Sequence, residues 1–281
     1  MTSTPVAVPD QTREAVVAGI PVMFWNPERK TNIWGRRALR FRPVDNFGDL
    51  LGPVVVKGMI DRFGGTPPQG DAARRRLFAI GSILQFSRPG DVVWGAGVNG
   101  KVDPGTYRLE GLDVRAVRGP QSRALLQDRF GLDVPEVYGD PGLLLPYLRP
   151  EVTEWAKTKK HDLTVVPNLN DLRSAPRTKD TVSPRDELWS VIKRIVQSRL
   201  VVGSSLHGVI VAEAFGIPAR AVVSPEESAF KYEDYLLGTG RAPEGAFAPT
   251  VERAVAMGGA QPPAWSAQPL LAAFPRDLWK S

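Results

Sequence analysis

Short apolar runs that each close on a glycine turn constrain this chain most. Leu77–Ile80 enters Gly81-Ser82, Val92–Trp94 enters Gly95-Ala96-Gly97, and Leu200–Val202 enters Gly203-Ser204-Ser205. Apolar runs this short, bounded by turns, suit buried strands. Ile20–Trp25, Val114–Val117, Glu136–Tyr138, Leu163–Val166 and Ala219–Val223 read the same way. Helical patterns lie between them. Leu50, Val54, Val55, Ile60 and Phe63 form an approximate stripe that Gly64-Gly65 stops. Pro120–Gly131 has proline near its start and glycine past its end. Arg185–Ser198 and Leu206–Phe215 complete the set. Strands alternating with helices predict an α/β fold with a mainly parallel sheet.

Three stretches break the alternation. Residues Met1–Gly19 read as a loose leader, and the segment 26–45, NPERKTNIWGRRALRFRPVD, as a basic loop. Pro146–Lys160 is rich in proline and charge and reads as a linker. It divides the chain into two α/β domains, 1–150 and 151–281, expected to be Rossmann-like halves facing a cleft. Sheets of this kind bind ligands at the carboxyl ends of their strands.

Composition narrows the chemistry. There is no cysteine among the 281 residues, which removes disulfides, thiolate catalysis and cysteine-built zinc sites. Two histidines, His161 and His207, are too few for a histidine-rich metal site, so no metal is expected. Lys+Arg exceed Asp+Glu by 36 to 30, a net charge of +6 that suits a small anionic substrate, a membrane surface or nucleic acid. The basic residues are scattered and no nucleic-acid module is present, which ranks nucleic acid last. The N-terminus lacks the basic start and apolar core of a secretory signal, and no apolar run reaches membrane-spanning length. A cytoplasmic protein is expected, with at most transient contact at the inner membrane surface.

His207 follows the Gly203-Ser204-Ser205 turn and opens the predicted Leu206–Phe215 helix. Ser204 or Ser205 suits the N-cap, and the free N–H groups of a first turn favour an anion. Gly208 beside the ring leaves room for a ligand to approach. A histidine there is either a general acid or a structural residue. The first half supplies turns of the same kind. Asn46-Phe47-Gly48-Asp49 opens a helix, with Asn46 a cap or a ligand contact. Gly81-Ser82 and Gly95-Ala96-Gly97 follow strands, where backbone N–H groups can approach a ligand. Arg118, in Val117-Arg118-Gly119-Pro120-Gln121-Ser122, stands between strand and helix. Its planar fork suits a phosphate or carboxylate, and an exposed ion pair is the alternative. Asp140 closes the Tyr138-Gly139-Asp140-Pro141 turn.

Together these segments resemble the polysaccharide pyruvyl transferase family. The resemblance runs in order through N-x-G-D at Asn46–Asp49, G-S-I-L at Gly81–Leu84 and V-W-G-A-G at Val93–Gly97. It continues through V-R-G-P-Q-S at Val117–Ser122, Y-G-D-P at Tyr138–Pro141, and S-S-L-H-G with F-G-I-P from Ser204 to Pro218. It implies a glycosyltransferase-B-like architecture that moves a pyruvyl group from phosphoenolpyruvate to a sugar of a bacterial surface polysaccharide. The usual product is a cyclic ketal, and the acceptor is an oligosaccharide or a lipid-linked saccharide. No cofactor is implied beyond the donor substrate. The resemblance makes His207 the proton donor and Arg118 a candidate anion anchor. The chain also departs from the family. Many members carry Arg-Leu-His where this one has Ser205-Leu206-His207, so a donor-binding arginine is missing or replaced. Arg36, Arg37, Arg40, Arg42 and Lys231 are the candidates for its replacement. The competing functions are a nucleotide-sugar glycosyltransferase, since Glu213–Pro218 resembles a donor-ribose stretch, and a non-catalytic polysaccharide-assembly protein.

Overall fold

The computed structural model describes residues 11–32 and 39–279. Two mainly parallel sheets organise it. The first has the order β1-β2-β5-β6-β7, formed by Thr12–Val17 (β1), Ile20–Trp25 (β2), Leu77–Phe78 (β5), Val92–Trp94 (β6) and Asp113–Ala116 (β7). The second has the order β11-β10-β9-β8, from His161–Val165 (β8), Ser198–Gly203 (β9), Ala219–Val222 (β10) and Phe247–Ala248 (β11). Glu28–Asn32 (β3) and Leu39–Pro43 (β4) make a separate two-stranded ribbon.

Two expectations are corrected at the N-terminal end. Part of the supposed leader is β1, an edge strand paired antiparallel with β2 from Thr12↔Trp25 to Val17↔Ile20. Its outward positions Glu14 and Val16 are exposed, which hid the strand behind a half-polar composition. The basic loop is the β3–β4 hairpin, with Arg29 opposite Arg42. Conversely, Glu136–Tyr138 yields only a bridge from Val117 to Tyr138, directly after Pro135, which has no N–H to donate.

The helices are Phe47–Phe63 (α1), Pro120–Phe130 (α2), Leu145–Leu148 (α3), Pro150–Ala156 (α4) and Leu188–Val196 (α5). Leu206–Ala214 (α6), Phe230–Gly238 (α7), Val251–Met257 (α8) and Ala267–Ala272 (α9) follow. The predicted stripe on α1 is displaced. Its buried face is Phe47, Leu51, Val55, Val56 and Met59, together with Gly48, Gly52 and Gly58. Those glycines turn inward without registering as hydrophobic, so the apolar pattern misplaces the face. The predicted linker is helical, because Pro146 and Pro150 occupy the first turns of α3 and α4, where a missing N–H costs no helical bond. α4 then meets α5 through Trp155 and Trp189, edge to face at 6.3 Å. α5 starts later than predicted, at Leu188, because the Glu187 carboxylate caps the N–H groups of Trp189 and Ser190.

Val22, Leu77 and Val92 of the first sheet share a buried cluster with Phe47, Leu51 and Val55 of α1 and with Val209 of α6. The last segment returns to the first sheet. Trp94 Nε1 donates to the Leu270 carbonyl, and Trp279 Nε1 to that of Val17. Among the described residues no helix is long and apolar enough to cross a membrane.

Candidate active site

A cleft of about 330 Å³ is lined by residues of both sheets' connections. From the first come Asn46, Asp49, Gly81, Ser82, Arg118 and Asp140; from the second, Ser205, His207 and Lys231. Sequence reasoning missed Arg29, Asn99, Lys101, Asn168, Asn170 and Glu227, which line it too. Arg29 sits in β3 and the others in loops, all without a recurring motif, so composition gave no signal for them. His161 is elsewhere, with its Nε2 3.4 Å from Arg194.

His207 is placed by a tight crossing. β9 ends at Gly203, whose φ is +146°, and a Cβ there would overlap the Val166 carbonyl oxygen. The chain can turn into α6 this close to β8 only with glycine. Ser205 is the N-cap, its Oγ accepting from the Gly208 N–H at 3.2 Å. Ser204 serves differently: it does not line the cleft, and its Oγ accepts from the Asn168 N–H at 2.9 Å. The His207 side chain is 14 % exposed, and its buried Nε2 has no hydrogen-bond partner among the described residues, with Asp140 Oδ2 at 3.7 Å. Asp140 is itself fixed by accepting from the Gly142 N–H through Oδ1.

Gly48 lies beneath the ring instead of lining the cleft. A Cβ at that position would overlap His207 Nδ1 and stand 2.8 Å from the His207 Cβ. Gly48→Ala therefore forces the ring, and with it α1 and α6, out of place. If the ring takes part in the chemistry, turnover should fall about a hundredfold, the cost of roughly ångström-scale misplacement. Melting should change by only the amount of a modest overpacking, about 1–3 kcal/mol. Steady-state kinetics and thermal unfolding of the variant check this, and full activity would show that the ring need not lie where it does.

Asn46 occupies the N-cap position of α1 without a capping bond; its Nδ2 instead donates to Asp49 Oδ2 at 2.6 Å. Burial pushes the Asp49 pKa up, against the opposing pull of His207 and the Asn46 donor. Lys231 is pulled below its usual range by burial, which outweighs the attraction of Glu227. Glu227 itself is buried, which raises its pKa, but Lys231, Asn170 and Lys101 together bring it below the ordinary value. Lys231 Nζ and Lys101 Nζ lie 2.8 and 3.0 Å from its two oxygens.

Arg118 is neither exposed nor free. It is 2 % exposed, donates from Nε to Asp234 Oδ2 at 3.0 Å, from Nη1 to Ser82 Oγ and from Nη2 to the Val98 carbonyl. Ser122 is fully buried and also serves Asp234, through its N–H and Oγ. Gly95 and Gly97 stand behind the cleft wall. Their N–H groups are already donated to the carbonyls of Ala116 and Gly81, so neither is free for a ligand. A Cβ on Gly97 would overlap the Arg118 guanidinium, and one on Gly95 would overlap Pro141. These glycines make room for side chains, not for substrate. Arg36 and Arg37 lie outside the described residues, as does the Arg40 side chain; Arg42 is exposed and does not line the cleft. Lys231 does, and Arg29 and Lys101 join it.

Comparison with known proteins places much of this chain in one family. The model of the family described as polysaccharide pyruvyl transferase matches residues 63–225. The chain belongs to the polysaccharide pyruvyl transferase family. The succinoglycan biosynthesis protein ExoV of Rhizobium meliloti is 34% identical over 203 residues, 68% of this chain and 60% of that one. An uncharacterized protein of Acanthamoeba polyphaga mimivirus is 27% identical over 181 residues, 56% of this chain and 58% of that one. The chain thus spans about three fifths of the length of these curated relatives. A functionally uncharacterized protein of Klebsiella pneumoniae aligns in structure at 12% identity and a TM-score of 0.46, covering 73% of this chain and 89% of the other. The family match contains the turns of Gly81, Gly95, Arg118, Asp140 and His207; Asn46–Asp49 and Lys231 fall outside it.

Proposed function

We propose that this protein transfers a pyruvyl group from phosphoenolpyruvate to a pair of hydroxyls on an exopolysaccharide sugar, forming a cyclic ketal. The observation that carries the reading is His207, whose Nε2 has no hydrogen-bond partner among the described residues, on the wall of a cleft that also presents Arg29, Lys101 and Lys231. Phosphoenolpyruvate carries a phosphate and a carboxylate, and such a donor needs cationic and N–H partners in one place. A proton from His207 to its methylene carbon makes the neighbouring carbon attackable by a sugar hydroxyl. The Asp140 carboxylate is the counterion for the charged ring. A second hydroxyl then displaces phosphate and closes the ketal. The reading takes the two sheets as halves of a glycosyltransferase-B-like architecture, with domains at 1–150 and 151–281. In place of the family arginine at Ser205, Lys231 or Arg29 supplies the positive charge.

The engagement of Glu213 supports this reading over a nucleotide-sugar donor. Its Oε2 accepts from the Tyr235 hydroxyl at 2.6 Å and it pairs with Arg241, so neither oxygen is free to hold a ribose. The test is incubation with phosphoenolpyruvate and synthetic oligosaccharides bearing free hydroxyl pairs, in heavy water. Inorganic phosphate should appear, and the new ketal methyl should carry one solvent-derived deuterium, since one of its three hydrogens was never in the donor. Release of nucleoside diphosphate from a sugar nucleotide would overturn the reading. A methyl free of deuterium would remove the exchangeable acid from it.

A further inference from the structure

We propose that Asp49 is the base that removes the acceptor hydroxyl proton, with Asn46 as the residue that orients it. This rests on the pyruvyl-transfer reading above. Among the described residues three carboxylates line the cleft, and their oxygens are differently occupied. Both oxygens of Glu227 are held, one by Lys101 and Asn170 and the other by Lys231. Asp140 gives one oxygen to the Gly142 N–H and turns the other toward His207. Asp49 receives a single donor, the Asn46 amide on Oδ2, and among the described residues its Oδ1 accepts none. That oxygen lies over Gly81, within 3.5 Å of where a Cβ would stand, and the absence of a side chain there leaves space against it. A base must have an unoccupied oxygen within reach of the proton it takes.

The proton count closes. His207 gives one proton to the methylene carbon, and the first acceptor O–H bond breaks as its oxygen bonds the adjacent carbon. Its proton goes to Asp49 Oδ1, so the enzyme's total is unchanged, and passage of that proton to His207 resets both groups. The second hydroxyl's proton leaves with the phosphate as hydrogen phosphate when the second C–O bond forms and the C–O bond to phosphate breaks. Burial raises the Asp49 pKa, and a carboxylate that holds its proton more firmly is the stronger base once ionised.

The test follows ketal formation from phosphoenolpyruvate and the synthetic oligosaccharide panel across pH. Asp49→Asn should lower kcat about a hundredfold or more, with phosphoenolpyruvate affinity by calorimetry near wild type. The acid limb of the wild-type profile should vanish. Formate should restore part of the rate to Asp49→Ala. Asn46→Ala, which keeps the carboxylate and only removes its donor, should move the acid limb to higher pH, because a lost hydrogen bond to the charged form raises its pKa. Asp49→Asn activity within threefold of wild type, or an acid limb unmoved by Asn46→Ala, would overturn the assignment while leaving pyruvyl transfer standing. A wild-type enzyme that releases no phosphate from the donor would overturn both.

Discussion

His207→Asn should lower turnover by about a hundred- to ten-thousand-fold, the usual contribution of a positioned general acid. The substitution is chosen to separate chemistry from structure. Asparagine keeps a polar side chain of similar reach, and the buried Nε2 of His207 gives up no hydrogen bond in the exchange, having none among the described residues. The Ser205 cap and the apolar body of α6, with Val209, Ile210 and Val211 buried, do not depend on the ring. Folding should therefore survive, and so should most donor affinity, which the proposed function assigns to the cations of the cleft. Kinetics on the acceptor panel, with calorimetric titration of phosphoenolpyruvate, measures both terms. A fully active variant would leave His207 as a structural residue. A variant that loses binding and turnover together would make it a donor contact instead of an acid.

The parts of this protein that were legible in the sequence are those where one local rule acts alone. Buried strands such as Val92–Trp94 and the glycine-stopped α2 follow from apolar run length and cap chemistry. The turn carrying His207 was readable for the same reason: strand, glycine, serine cap and helix are consecutive. Rules in competition were harder to resolve. Proline at 146 and 150 looked like a breaker, yet at a first helical turn it is neutral. The glycines of α1 concealed which face was buried. The cleft itself is a long-range object. Lys101 and Glu227 meet from loops 126 residues apart, and no periodicity predicts such a meeting. Arg118 shows the same limit, since nothing near it in sequence announces that Asp234 will lie against its guanidinium.

That pair carries the largest expected effect on stability. Asp234→Ala should destabilise the protein by about 3–5 kcal/mol, the usual cost of leaving a buried charge without its partner. Arg118 is 2 % exposed and Asp234 fully buried, so solvent cannot take over the lost interaction. The aspartate also accepts from the Ser122 N–H at 2.9 Å and its Oγ at 2.7 Å, and both donors would be stranded together with the guanidinium. The bond network joins the β7–α2 turn to α7, and Gly119 permits the approach, for a Cβ there would overlap the Asp234 carbonyl. Denaturant unfolding of Asp234→Ala measures the loss, and a change under about 1 kcal/mol would reduce the pair to the standing of an exposed ion pair. Replacing both partners, as Arg118→Met with Asp234→Leu, should recover part of the stability, because two apolar groups need no compensation. The double variant also separates the two roles open to Arg118. Should the arginine only hold the β7–α2 turn to α7, this protein will be stable and will still bind phosphoenolpyruvate. Should its remaining Nη1 hydrogen, beyond the one given to Ser82, reach the donor, the protein will be stable and the calorimetric signal for phosphoenolpyruvate will be lost.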